Sequence, residues 1–130
     1  MENLLIMTAG IAGFAGVACG ASADHLATGD PVVHDLLDTA SRYLLIHAAA
    51  ILGIGALLRQ TGPGPTRVWG AVAGGLLAAG ALCFGGGLVI HATTIRHPLD
   101  AIIPAGGIML MLGWLALAGF GAVLSIKPRR

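Results

Sequence analysis

Four long apolar segments, separated by short polar ones, dominate the pattern of hydrophobic and polar residues along the chain. The first is free of charge from Leu4 to Ala23, and a helix of about 20 apolar residues crosses a bilayer. Charged residues bound the other three segments on both sides. The pattern predicts an all-α membrane protein, a four-transmembrane-helix bundle that forms one membrane domain over residues 1–130. The predicted spans lie at about 4–23, 43–58, 69–90 and 104–126.

The second span is short, and the segment before it has the pattern of an amphipathic helix. Asp30 followed by Pro31 is typical of a helix start, because aspartate caps the first turn and proline fits its first position. Apolar residues then recur at helical spacing, opposite a polar face on which Asp38 and Arg42 stand four apart and can pair. We predict an interfacial amphipathic helix that runs into the second span. The alternative is a segment that only packs over the mouth of the bundle.

The first span also has features of a secretory signal peptide. Ala21, Ser22 and Ala23 resemble a cleavage site for small residues. No positive residue precedes the apolar run, however, so we expect the first span to be retained as a helix.

The basic residues of the short loops predict an orientation, because cytoplasmic loops carry an excess of Lys and Arg. With the N-terminus inside, only Arg42 and Arg96 lie in outer segments. The inner segments hold Arg59, Arg67, Lys127, Arg129 and Arg130. We therefore predict that both termini are cytoplasmic.

Rows of small residues mark the faces where helices are expected to meet, since such rows let backbones pack closely. Three rows repeat every four positions: Ala12, Gly16, Gly20; Gly70, Gly74, Ala78; and Ala71, Gly75, Ala79. Three glycines in succession, 85–87, each weaken the third helix by about 1 kcal/mol relative to alanine. Either a neighbouring side chain presses there, or the helix bends. The predicted packing residues are Gly16, Gly20, Gly70, Gly74, Gly75, Gly85 and Gly86.

The composition supports a membrane protein and excludes other classes. Only 10% of residues are charged, whereas soluble domains carry about 25%. The net charge of +1 provides no basic surface of the size that nucleic acid needs, so we expect no nucleic-acid partner. Cys19 and Cys83 fall at different depths of their spans, and we expect no disulfide between them.

Polar residues collect toward the predicted outer face. The candidate cluster is Asp24, His25, Arg42, Tyr43, His47 and His91. The three histidines of this cluster come from three different helices at a similar predicted depth in the membrane. This arrangement permits a metal site with carboxylate partners or a haem site. The alternative is local hydrogen bonding at the interface, because no histidine spacing typical of a metal site is present. The identity of any metal is left open, and no cofactor is expected.

His47 is the most informative member of this cluster. It lies roughly 7 Å deeper than Arg42 at 1.5 Å per residue, and an ionisable group at such depth needs a partner. Asp24, His25 or Tyr43 is the expected partner. The middle of every span lacks Lys, Asp and Glu, which argues against a proton-coupled transporter.

Four motifs, in this order, give the chain a family resemblance. They are Gly20-Ala21-Ser22-Ala23-Asp24-His25; Ala40-Ser41-Arg42-Tyr43 with His47-Ala48; Cys83-Phe84-Gly85-Gly86-Gly87-Leu88; and Ile103-Pro104-Ala105-Gly106-Gly107 with Gly113-Trp114. The chain resembles the DUF423 family of bacterial inner-membrane proteins, related to the eukaryotic transmembrane protein 256. The resemblance implies four helices and an inner-membrane location, and it implies no activity.

These observations favour a non-enzymatic membrane protein, since no catalytic set is apparent. We expect it to act by association in the lipid bilayer, as a homo-oligomer or as an accessory subunit of a larger membrane complex. One alternative is a small transporter or channel-like protein. A further alternative is a metal- or haem-binding membrane protein.

Overall fold

The chain forms four long helices in a computed structural model, which describes residues 1–26, 29–94 and 101–126. They are α1 (Glu2–Leu26), α2 (Pro31–Gln60), α3 (Pro65–Thr93) and α4 (Ile102–Ile126). Each of the four is long and apolar enough to cross a membrane. The all-α class and the four apolar helices therefore agree with the sequence prediction. Arg96, Lys127, Arg129 and Arg130, which entered the predicted orientation, lie outside the described residues.

The start of α2 follows the predicted capping pattern. The Asp30 carboxylate accepts hydrogen bonds from the backbone N–H groups of Val32 at 2.9 Å and Val33 at 3.4 Å. Pro31 occupies the first helical position. These contacts satisfy amide groups that the first turn of a helix leaves without partners.

The structure does not support the interfacial helix that was predicted to run into the second span. Residues 31–42 are the first turns of a helix that continues unbroken to Gln60, about 45 Å long at 1.5 Å per residue. Arg42 pairs with Asp38 at 2.6 Å, as their spacing predicts. Ala40 belongs to a buried cluster with residues of α1 and α3, so this segment packs within the bundle. Charged residues on one face place that face in a polar environment, but they do not end a helix.

Each helix packs against its neighbour in the sequence, and α3 is central because it contacts all three others. All four helices contribute to one apolar core. Its buried members are Leu5, Ala9, Ile51, Ile54, Leu58, Ala73, Leu77, Ala81, Leu110 and Ala116. Among the described residues, the backbones of α2 and α4 do not come into direct contact. Side chains alone bridge these two helices.

Glycines bring α3 and α4 into close antiparallel contact. A Cβ at Gly106 would lie 2.5 Å from the backbone nitrogen of Phe84, and one at Gly80 would lie 2.9 Å from that of Leu110. Further along the same interface, Gly113 faces Leu77 and Gly70 faces Phe120, while Gly87 faces Ile103. Small residues on both helices therefore allow the backbones to meet with almost no intervening side chain.

The outward faces of the helices are apolar. On α1, the exposed large apolar side chains include Leu4, Met7, Ile11, Phe14 and Val17. Phe14 is 78% exposed, although phenylalanine is normally buried in soluble proteins. A continuous apolar stripe of this kind suits contact with lipid tails or with another membrane protein.

Candidate functional site

The predicted outer-face cluster separates into distinct groups in the structure. Asp24 lies 3.6 Å from His34, and Arg42 pairs with Asp38, all with partly or largely exposed side chains. Exposed ion pairs of this kind contribute about 0–1 kcal/mol each. Two cluster members, Tyr43 and His47, lie in ring contact with each other.

The other two histidines of the predicted cluster do not join them. His25 is exposed at the end of α1, and His91 is half-buried near the end of α3. His91 lines a shallow depression with residues of the first turns of α2. Within residues 1–26, 29–94 and 101–126, no group of three His, Cys, Asp or Glu side chains is placed to hold a metal ion. The metal alternative therefore receives no support from the described residues.

His47 is held by two specific hydrogen bonds in the interior. Its side chain is 4% exposed, its Nδ1 lies 2.6 Å from the main-chain oxygen of Tyr43, and its Nε2 lies 3.1 Å from the indole nitrogen of Trp114. The indole N–H can only donate, so Nε2 must accept. A carbonyl can only accept, so Nδ1 must carry the proton. These two bonds assign His47 as a neutral imidazole with both ring nitrogens in use.

His47 has one partner that was expected from the sequence and one that was not. Tyr43 is a partner, as the sequence suggested, but through its main-chain carbonyl. Trp114 was not expected to be a partner, because it follows His47 by 67 residues on another helix. One signal was present: an indole N–H in the middle of an apolar span needs an acceptor when it is buried.

The rings around His47 line a groove between α2 and α4, floored by α3. Its volume is about 410 Å³. The lining residues are Tyr43, His47, Phe84, Pro104, Gly107, Ile108, Leu110, Met111 and Trp114. We call this the α2–α4 groove. It forms because α2 and α4 are bridged by the His47–Trp114 hydrogen bond and their backbones do not touch.

The opposite end of the bundle is joined by Arg67 at the start of α3. Its guanidinium donates to the main-chain oxygens of Leu58 at 2.9 Å and Thr61 at 3.0 Å, and it pairs with the Glu2 carboxylate. The last carbonyls of a helix lack partners within the helix, and a cation is favourable there. Arg67 therefore links the ends of three helices. No local sequence pattern predicts the Glu2–Arg67 pair, whose two members are 65 residues apart in the chain.

Neither cysteine forms a disulfide: Cys19 is free and buried, and Cys83 is free and half-buried. This agrees with the different depths that the sequence assigned to them.

An apolar core, four helices of membrane-spanning length and apolar outward faces define a small polytopic membrane protein. The profile of the family described as "Protein of unknown function (DUF423)" matches residues 19–107. The chain belongs to this family, which confirms the resemblance drawn from its motifs.

Two relatives from Staphylococcus species are also named as membrane proteins. A UPF0382 membrane protein of Staphylococcus aureus is 34% identical over 80 residues, and one of Staphylococcus epidermidis is 35% identical over 80 residues. Each match covers 62% of this chain and 62% of the relative. No solved structure is significantly similar to the chain.

Proposed function

We propose that this protein acts by lateral association in the bacterial inner membrane, without enzymatic turnover. The observation that supports this proposal is a stripe of small residues on α3 that lies open in the single chain. The stripe consists of the small residues Gly75, Ala79 and Gly86 together with the larger Leu82, which recur at intervals of three or four residues on one face of the helix. We call it the open α3 stripe.

The other glycines of α3 are already in use. A Cβ at Gly74 would lie 2.7 Å from Leu5, and one at Gly85 would lie 2.7 Å from Leu44. Gly70, Gly80 and Gly87 likewise face side chains or backbone of neighbouring helices. At Gly75 and Gly86, by contrast, nothing lies within 4 Å of the Cβ position. Glycine weakens a helix interior by about 1 kcal/mol relative to alanine. Contacts within the chain explain the presence of the packed glycines, but they do not explain the open ones.

A groove between α1 and α3 leads to this stripe. It has a volume of about 470 Å³, and its walls include Phe14 and Ile11 of α1 together with Leu82 and Gly86 of α3. A transmembrane helix that enters the groove would bring its backbone close to the glycines and gain dispersion contacts. A second copy of the chain is the partner we favour, because two identical stripes can pair about a twofold axis. An accessory role in a larger membrane complex would use the same surface.

The interior offers little support for the transporter or channel alternative. In the described part of the chain, the buried polar residues are Ser41, His47 and Thr66. His47 is satisfied by Tyr43 and Trp114, and the central core cluster is apolar throughout. A path for ions or polar solutes would need a continuous series of polar groups.

Leucine at Gly75 or Gly86 should reduce the size of the native assembly. A bulky side chain would keep the partner backbone away, while the open space at both positions leaves the single chain intact. Blue native electrophoresis of mild-detergent extracts would measure the size of each variant. Gly53→Leu on α2 and Gly121→Leu on α4 are matched controls, because nothing lies within 4 Å of either Cβ position. Gly74 is unsuitable as a test position, since Leu5 occupies the space beside it.

Two results would contradict lateral association through this stripe. One is a wild-type protein that migrates as a free single chain in every mild extract. The other is an assembly that keeps its size in both Gly75→Leu and Gly86→Leu.

We also propose that both termini face the cytoplasm, on the basis of the loop charges described above. A reporter fused at Gly62 or at the C-terminus should be active in the cytoplasm, and one fused at Gly29 should be active outside. Paired phosphatase and fluorescent-protein fusions would measure this. Cytoplasmic activity at Gly29 would reverse the assignment.

A further inference from the structure

The α2–α4 groove has a wall of aromatic rings. The centroids of Tyr43 and Phe84 are 4.5 Å apart, those of Tyr43 and His47 are 5.8 Å apart, and those of His47 and Trp114 are 5.9 Å apart. These distances lie within the range of favourable ring contacts. The groove lies between two helices of membrane-spanning length, which makes a lipid-soluble ligand its expected occupant.

The polar atoms of this wall differ in whether they are available to hydrogen-bond a ligand. Trp114 N–H and both nitrogens of His47 are engaged in the hydrogen bonds described above. The hydroxyl of Tyr43 makes no hydrogen bond to any described residue, although Tyr43 is in ring contact with Phe84 and His47. A tyrosine hydroxyl in an apolar setting usually has a partner. The groove therefore offers a ligand a hydroxyl that no described residue engages, beside a cluster of aromatic rings.

We propose that the α2–α4 groove binds the head ring of a lipid-soluble quinone. A quinone ring is flat and can stack on the aromatic wall, and its carbonyl oxygen can accept from the Tyr43 hydroxyl. Its isoprenoid tail can leave through the lateral opening into the bilayer. The volume of about 410 Å³ falls within the range of small-molecule sites, which is about 300–1,000 Å³. A saturated acyl chain could fill the apolar part, but it would use neither the rings nor the hydroxyl.

This proposal does not depend on lateral association. The α2–α4 groove and the groove beside the open α3 stripe share no lining residue. Failure of one proposal therefore leaves the other standing, and substitutions can separate them.

Tryptophan fluorescence provides a direct binding assay. The chain has two tryptophans, and Trp69→Phe leaves Trp114 as the only reporter. Quinones quench indole fluorescence on contact, so a short-tailed benzoquinone or naphthoquinone should quench Trp114 to saturation in purified, detergent-solubilised protein. Tryptophan octyl ester in the same micelles is the control for partitioning, and it should show quenching without saturation.

Three variants in the Trp69→Phe background sharpen the test. Tyr43→Phe keeps the ring and removes the hydroxyl, so the half-saturating quinone concentration should rise about tenfold. Gly107→Leu should abolish saturable quenching, because its side chain would occupy the groove where the Cβ position makes only an ordinary contact with Phe84 at 3.8 Å. Gly121→Leu on the same helix should behave like the parent.

Three outcomes would overturn the proposal. The first is quenching of Trp114 that is unsaturable and matches the octyl ester. The second is an unchanged half-saturating concentration in Tyr43→Phe. The third is equal displacement of the quinone by a saturated fatty alcohol of the same tail length, which would make the groove a site for acyl chains.

Discussion

Replacing Gly106 with valine should strongly destabilise the packing of α4 against α3. A Cβ at this position would lie 2.5 Å from the Phe84 nitrogen and 2.9 Å from the Phe84 Cα. Both are backbone atoms, so no rotation of a side chain can relieve the clash. Overpacking in a core usually costs about 1–3 kcal/mol, and a clash with backbone should reach at least the upper end. The free energy of unfolding, measured by circular dichroism in a denaturant titration of mixed micelles, should fall accordingly.

Gly121→Val is the matched control for this experiment. It lies on the same helix, and nothing is within 4 Å of its Cβ position. The two variants have the same change in helix propensity, so the difference between them isolates the contact with Phe84. Equal stability of the two would show that α3 and α4 are not packed as described.

Replacing His47 with leucine should destabilise the protein by about 1–3 kcal/mol. The substitution leaves the Trp114 N–H without an acceptor in the middle of an apolar span, and a polar group without a partner in apolar surroundings costs about that amount. Trp114→Phe should also destabilise, because it removes the donor to Nε2. Unfolding of both single variants and the double variant would measure the coupling between the two side chains.

The outcome for the double variant is the decisive part. If the hydrogen bond between α2 and α4 holds, the two substitutions should be non-additive, with the double variant losing less than the sum. His25→Leu is the control for replacing a histidine, since His25 is exposed and should tolerate the change within about 0.5 kcal/mol. Additive losses from His47 and Trp114 would contradict the bond.

Local features of the fold could be predicted from the sequence because they depend on residues close together in the chain. Asp30 and Pro31 fixed the start of α2 through capping, and the Asp38–Arg42 pair followed from a spacing of one helical turn. Pro104 lies in the first turn of α4, where a proline removes no helical hydrogen bond.

Features that depend on which helices adjoin could not be predicted in the same way. The row pattern identified Gly74 and Gly75 together, yet Leu5 covers only Gly74, because adjacent positions on a helix point in directions about 100° apart. The third helix also continues without interruption through its three glycines. Leu44 packs against Gly85 and Ile103 against Gly87, so the pressing side chains come from two different helices.

The candidate site shows the same limit. His47 was identified by its depth in the second span. The His47–Trp114 hydrogen bond and the Glu2–Arg67 ion pair were not predicted, because each joins residues that are far apart in the chain. The separation of the outer-face cluster has a related cause. Residues at a similar depth in the membrane remain apart when their helices place them on different sides of the bundle.

Lateral association through the open α3 stripe can be tested most directly by cysteine cross-linking in native membranes. The chain has two cysteines, which Cys19→Ala and Cys83→Ala would remove. In that background, Gly75→Cys should form a cross-linked product at twice the chain mass with a short bifunctional maleimide, because a second copy supplies the second thiol. Gly121→Cys, equally open in the single chain, should remain uncross-linked. Absence of any product at Gly75, or equal products at both positions, would contradict association through this stripe.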